Sequence, residues 1–301
     1  MISLMLRWNQ QMPNPSHPAE LLVHQYMSDA VNGKTTMPDE VIEQVGKDVM
    51  DALRKQFGSG ESRKDFKLRM SNLGRPTCQL WFDKNKPELA TGKPNNFMMN
   101  MMLGDIVEAV FKGLLKASGV KYEEPENVSL EVNDTHINGT YDLVIDGAVD
   151  DVKSASSWSY DNKFESFDTL SQGDAFGYIA QLVGYAKAAK KKVGGWWVVN
   201  KANGKFKYVS ANSVDETKEM NKIKATVQKV KDNIFERCFE PVEEFFRGKP
   251  TGNKVLGINC SFCDYKNSCW ENLQELPSVM SKAQFPKIVS YVELRKEYIN
   301  E

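Results

Sequence analysis

The 301-residue chain is predicted to be an α/β protein, a mixed sheet flanked by helices, and three observations predict it. Apolar residues recur at helical spacing up to about Ala117. The period then changes to short β-type runs between Val128 and Ala155. Helical spacing returns after Asp174, gives way to two more apolar runs, and resumes in a lysine-bearing segment. With 41% hydrophobic residues at this length, the chain is large enough to bury one large core or two ordinary ones.

The opening "MISLMLRWNQQMPNPSHP" is too short and polar for a secretory signal, and no stretch approaches the roughly 20 apolar residues of a membrane span. An intracellular, cytoplasmic protein is therefore expected. Residues 38–57 have the pattern of an amphipathic helix, and the polar, glycine-bearing "GSGESRKD" after it is a connector at which the main domain starts. A second helix is expected over 97–117, closed by Gly119 in the left-handed position. "VSLEV", "HINGTYDLVID" and "AVDDVKSA" are broken by Asn, Asp and Gly and predict a meander of strands. "DAFGYIAQLVGYAKAAKK" is helical, "GGWWVVN" a buried strand and "GKFKYVS" another strand. From Val214 to Phe246 one long helix is expected, with Met220, Ile223, Val227, Val230 and Ile234 on its apolar face and Lys218, Lys222 and Lys229 opposite. Three parts result: a helical region 1–70 of no assigned role, a main domain 71–275 and a tail 276–301.

A formal net charge of −1 gives the molecule no field that would pull it onto a polyanion. Nucleic-acid binding would need local patches, such as Lys187, Lys190, Lys191 and Lys192 or the lysine face of the long helix, and either is also an ordinary solvated surface.

The strand region carries the chemistry. Asp151 and Lys153 stand two apart in an extended run and project from one face, while Val152 points into the other. A tight connection through "DGA" would bring Asp142 alongside Asp151. Two carboxylates held together repel unless a cation sits between them, and hard oxygen ligands select Mg²⁺ or Mn²⁺. An isolated Asp-x-Lys would equally be a surface ion pair at a strand end. Its company decides: Glu108 follows Gly104 by four residues, and Gln181 and Tyr185 stand four apart on one helical face.

The ordered set Gly-x-x-x-Glu, Gly-x-x-Asp, Asp-x-Lys, Gln-x-x-x-Tyr resembles the PD-(D/E)XK nucleases of the RecB-like branch. Those enzymes usually carry His where this chain has Glu108, and Asp105 is a rival for the same role. The resemblance implies a restriction-endonuclease-like mixed sheet and a metal-dependent deoxyribonuclease. By resemblance, Asp142, Asp151, Glu108 and the backbone carbonyl of Val152 bind Mg²⁺ or Mn²⁺. Lys153 orients or activates the attacking water and stabilises developing charge, and Gln181 and Tyr185 position the strand or the lysine.

Five cysteines in a reducing compartment are not a disulfide framework. Cys260, Cys263 and Cys269 form Cys-x₂-Cys-x₅-Cys, and a remote Cys78 precedes the nuclease-like motifs, a spacing unlike the paired knuckles of a zinc ribbon. The arrangement looks like the iron–sulfur staple of RecB-like nucleases, including AddB and the CRISPR-associated family. The resemblance thus implies a [4Fe-4S] cluster on Cys78, Cys260, Cys263 and Cys269 that ties the N- and C-terminal parts together. Cys238, outside the pattern, is expected as a buried or half-buried thiol.

DNA is the implied partner, single-stranded or with free ends. Ser154 in "SASSWS" offers a hydroxyl to a phosphate, and Trp158 and Tyr160, with Tyr141, flank the motif where bases could stack; core packing would also explain each ring. Three roles follow: an exonuclease in recombination, replication or end processing, a nuclease of CRISPR adaptation, or a nuclease-fold DNA-binding or docking protein without turnover.

Overall fold

Two glycines and one buried carboxylate set the centre of this fold. The computed structural model describes residues 16–58 and 66–295; the chain's first stretch and most of the "GSGESRKD" connector lie outside them. The central sheet has the order β3-β4-β5-β6, formed by Leu143–Ile145, Ala148–Ala155, Lys192–Asn200 and Phe206–Ser210. β4 runs parallel to β5, and the outer pairs are antiparallel, so the sheet is mixed. The β3–β4 turn places Asp146 at φ 51° and Gly147 at φ 76°, the doubly left-handed geometry that fits the twist of a two-residue hairpin.

The β4–β5 register slips between Val149 and Asp151, where Gly194 and Gly195 together face the single residue Asp150. Asp150 turns inward from this bulge. Its Oδ1 accepts Gly195 N–H at 2.7 Å and the Tyr208 hydroxyl at 2.8 Å, while Oδ2 accepts Trp197 Nε1–H at 3.3 Å. A Cβ on Gly194 would lie 2.0 Å from Asp150 Oδ1, so the glycine is what lets the carboxylate enter. Burial pushes the Asp150 carboxyl up to about 7.

Helices cover both faces of the sheet. On one face, helix α1 (Pro18–Val31) and helix α4 (Asn96–Ala117) pack Val23, Phe111 and Leu115 against Val152, Trp197 and Tyr208. α1 is anchored by buried Glu20, whose Oε1 accepts Tyr208 N–H at 2.9 Å. Helix α2 (Asp39–Phe57) lies on α4, where Gly113 leaves room for Val45. The other face carries helix α6 (Tyr178–Ala189) and helix α7 (Glu216–Asp232), which bury Leu182, Val183, Ile223 and Val227 against Val149, Trp196 and Val198. The β1–β2 hairpin (Asn127–Val132, Thr135–Thr140) completes this layer. "GGWWVVN" is the buried strand expected, with Trp196 and Trp197 fully buried on opposite faces.

The remaining elements are α3 (Thr77–Asn85), α5 (Phe167–Gln172), and a second sheet in the order β7-β8-β10-β9. Its strands are Val242–Phe246, Lys249–Val255, Ile288–Glu293 and Gln274–Pro277. Two short helices, Ile258–Ser261 and Lys266–Cys269, carry Cys260 and Cys269 between β8 and β9, with Cys263 in the link between them.

The long helix expected over 214–246 ends early. α7 stops at Asp232 because Asn233 takes φ 58°, and Pro241 could not have continued an α-helix. Ile234 consequently leaves the apolar face and is 74% exposed. Residues 242–246 pair as β7 instead.

No helix among the described residues is long and apolar enough to cross a membrane. Replacing Asp150 by Ala strands three buried donors. It is expected to lower folding stability by about 3 kcal/mol, read from the urea midpoint; an unchanged midpoint would contradict the role given to the bulge.

Candidate active site

Position 151 shares its face of β4 with Val149 and Ala155, toward α6, while Val152 packs into the cluster on the other side. The alternation expected from Asp-x-Lys therefore holds. Lys153 Nζ lies 2.6 Å from Asp151 Oδ2, with the two side chains 20% and 4% exposed. That ion pair is the close contact made by buried Asp151 Oδ2.

Asp142 falls in the break between β2 and β3, and because Leu143 pairs with Asp150 it is delivered opposite Asp151. Its Oδ2 accepts Val152 N–H at 2.8 Å. Burial, reinforced by the charge of Asp151, pushes the Asp142 carboxyl up to about 6; burial also raises Asp151. Burial alone would lower Lys153, but the charges of Asp151 and Asp142 outweigh it and hold the ammonium above its ordinary value.

Glu108 reaches the same locus from α4. Its carboxyl is raised by burial and by the charge of Asp142, and its own charge acts on Asp151. α4 passes close to β4 here: a Cβ on Gly104 would sit 3.6 Å from Ser154 Oγ, an ordinary contact distance. The same contact shows that Ser154 faces α4, away from Lys153. Asp105 is turned elsewhere, held by Gln56 Nε2 at 2.9 Å and Lys55 at 3.3 Å on α2. A cleft of about 420 Å³ between α2 and α4 is lined by Asp105, Glu108 and Lys112.

From α6, Gln181 Nε2 donates to the Tyr185 hydroxyl at 3.5 Å. Burial lifts Tyr185 to about 12, and the charges of Asp142, Asp151 and Lys153 all act on it. Gly139 makes this approach possible, since a Cβ there would lie 2.8 Å from the Tyr185 ring. Tyr141 is 1% exposed and belongs to the core, Tyr160 is half-buried beneath Lys207 Nζ at 4.3 Å, and Trp158 is 63% exposed.

Two residues near the site carry no motif. Lys112 is buried and pairs with Glu108 at 2.5 Å; the i,i+4 spacing on one helix was the available signal. Tyr178 lies under Lys153 Nζ, 5.1 Å from the ring centroid. No local spacing marks it.

The cysteines lie around α3. Cys78, on its first turn, and Cys260, Cys263 and Cys269 are all half-buried. The charge of Cys263 acts on Cys78, and Cys260 feels both Cys263 and Cys269. The trio's segment is held to α3 by Tyr265, which donates to Asp83 Oδ1 at 2.6 Å and stacks on Phe82 with centroids 5.0 Å apart. Cys238 corrects expectation. It is exposed, not buried, because the chain beyond Asn233 is extended, and its Sγ accepts Cys78 N–H at 3.2 Å. Hydrogen bonding from Cys78 draws the Cys238 thiol down.

Two glycine backbones meet between the segment leading to Cys78 and the segment leading to α6. A Cβ on Gly177, which precedes α6 at φ 72°, would lie 2.2 Å from Gly74 Cα, just ahead of α3.

This chain belongs to the PD-(D/E)XK nuclease superfamily, whose family model matches residues 6–270. Membership points to a nuclease acting on DNA, and nucleases of this superfamily typically use Mg²⁺ or Mn²⁺. A solved structure, "Crystal structure of SSO0001", shares 13% identity over 73% of this chain and 93% of that chain, with a TM-score of 0.40. No curated protein matches the sequence.

Among the described residues, no group of three or more His, Cys, Asp or Glu converges closely enough to hold a metal ion as it stands. The donor chemistry nevertheless fits a hard divalent cation: two buried carboxylates raised by burial and a third within electrostatic reach. Titrating Mn²⁺ into the protein is expected to raise the melting temperature, by the equivalent of about 2.7 kcal/mol at a hundredfold excess over Kd. The Asp151→Asn variant should show no rise. An equal rise in both proteins would place the ion elsewhere.

Proposed function

We propose that this protein is a Mg²⁺- or Mn²⁺-dependent deoxyribonuclease of the RecB-like branch, an exonuclease acting on DNA ends that are single-stranded or free. The observation that carries this reading is the convergence of Asp142, Asp151 and Lys153, drawn from β4 and the break before β3 into one largely buried locus. Recombination, replication or end processing is the setting the resemblance favours, with CRISPR adaptation as the related alternative.

Hydrolysis of a phosphodiester demands charge neutralisation around an already anionic phosphate and an aligned water. Asp142, Asp151 and Glu108, with the Val152 carbonyl, would hold the divalent ion, which when bound supplies that neutralisation and acidifies water. Val152 N–H fixes the Asp142 carboxylate so that one oxygen is committed and the other is available. Lys153 is carried on the same face as Asp151 and presents its ammonium to the phosphate oxygens or the attacking water. Gln181 and Tyr185 brace this arrangement from α6. Lys112 keeps Glu108 in place from within its own helix.

We further propose that Cys78, Cys260, Cys263 and Cys269 carry a [4Fe-4S] cluster. Support comes from the thiolate-type donor set and from the packing of Tyr265 and Phe82, which already holds the trio against the Cys78 helix. A four-iron cluster spaces its thiolates more widely than a single ion would. Closing a loop from Cys78 to Cys269 is worth on the order of several kcal/mol to the fold. Residues 71–275 are taken as the catalytic domain, with α1 of the 1–70 region packed onto its sheet and β10 of the 276–301 region paired with its β8.

The test is digestion of end-labelled linear and circular DNA, single- and double-stranded, by anaerobically purified protein with Mg²⁺ or Mn²⁺. Metal-dependent cleavage is expected, falling by about a hundredfold or more in Lys153→Ala. Protein that is folded and binds DNA but never cleaves it would instead favour a docking role. Separately, Cys78→Ala should lose bound iron and melt at lower temperature. Full iron content with an unchanged melting temperature would remove Cys78 from the ligand set.

A further inference from the structure

Between β4 and α6 the chain makes a π-helical turn, Ser159–Lys163, of a kind often found beside functional sites. Downstream, the rings of Phe164, Tyr178 and Phe176 form a ladder. Tyr178 stands in the middle, its centroid 5.7 Å from each neighbour, at interplanar angles of 25° and 19°. One end of the ladder is sealed, since Phe164 is 3% exposed; the other end is open, since Phe176 is 56% exposed.

Two lysines flank the rings. Lys163 Nζ lies 4.4 Å from the Tyr178 centroid and 4.6 Å from that of Phe176, and Lys153 Nζ lies 5.1 Å from Tyr178. The carboxylate whose charge reaches Lys163 is Asp174, and both Asp174 oxygens are engaged by the N–H groups of Tyr178 and Ile179, each at 2.9 Å. Lys163 therefore keeps an ammonium directed at rings rather than spent on a carboxylate. The display is braced, because Gly177, next to Phe176, is packed backbone to backbone against Gly74.

We propose that Phe176 is a stacking platform for an unpaired base of single-stranded DNA, and that Lys163 takes the adjoining phosphate one to two nucleotides from the scissile bond. The inference rests on the nuclease reading for the identity of the strand. An apolar ring face beside an ammonium matches a base joined to a phosphate, and every base offers a π-face, so the platform selects unpaired strands without selecting sequence. A paired base is already stacked and cannot deliver its face to Phe176. The platform is continuous with the reaction locus through Tyr178, which touches Lys153 on one side and Phe176 on the other.

The experiment uses the full chain with Ca²⁺ in place of Mg²⁺ or Mn²⁺ and oligodeoxynucleotides carrying 2-aminopurine at successive positions from either end. Stacking on Phe176 quenches the probe at one position. Phe176→Ala is expected to abolish that quench and weaken single-strand binding about tenfold, with blunt-duplex binding unchanged, and Phe176→Trp should restore both. Lys163→Ala should weaken binding and flatten its salt dependence while leaving the quench. Because Phe176 is exposed, the melting temperature should not move, and circular dichroism checks this. Quench and affinity within about twofold of wild type in Phe176→Ala would overturn the platform, as would an equal loss on blunt duplex. Cleavage with Mg²⁺ is scored in parallel: cleavage without a Phe176-dependent quench refutes the platform alone, while the quench without any cleavage refutes the nuclease reading alone.

Discussion

Two consecutive carboxylates, Asp150 and Asp151, are buried on opposite faces of one central strand, and the rest of the structure accommodates that constraint. A buried carboxylate is costly unless its oxygens are satisfied. On one face the cost is met by a backbone bulge, an indole and a phenol gathered around Asp150. On the other face Asp151 has an ammonium two residues along and a second carboxylate delivered by the neighbouring turn. The structural carboxylate fixes the strand, and the strand aims Asp151 at Asp142 and Lys153.

The helices follow the same division. α4 lies on the face of Asp150 yet reaches round to the other with Glu108, whose charge acts on Asp151. α6 covers the face of Asp151 and contributes Gln181, Tyr185 and Tyr178 along one side. Neither helix is held by its own propensity alone. Each is seated by apolar packing on one of the two fully buried tryptophans, which stand back to back across β5.

Much of this was legible in the chain. Asp151 and Lys153 sit two apart in a strand, so their shared face followed from the pleat, and "DGA" fixed the turn that returns Asp142 to them. Gln181 and Tyr185 followed from the helical period. The position of Glu108 followed from nothing local; it depends on how α4 packs across β4. Asp150 went unmarked because a carboxylate in a strand is identified as structural only when its partners, distant in sequence, are known. The overlong helix at 214–246 arose because lysine-rich helical spacing runs on past Asn233, and a single left-handed residue outweighs it. Cys238 was misplaced for the same reason: the expected burial belonged to a helix that had already ended.

The contact between Gly74 and Gly177 has a mechanical meaning. It works as a pin through two chain segments, one leading to the cysteine-bearing helix and one to the helix behind the reaction locus. Segments pinned at bare backbone have no side chain to compress, so a displacement of one is passed to the other without being absorbed. A displacement of the segment leading to α3 would thus be felt at Phe176 and Tyr178 as a change of position.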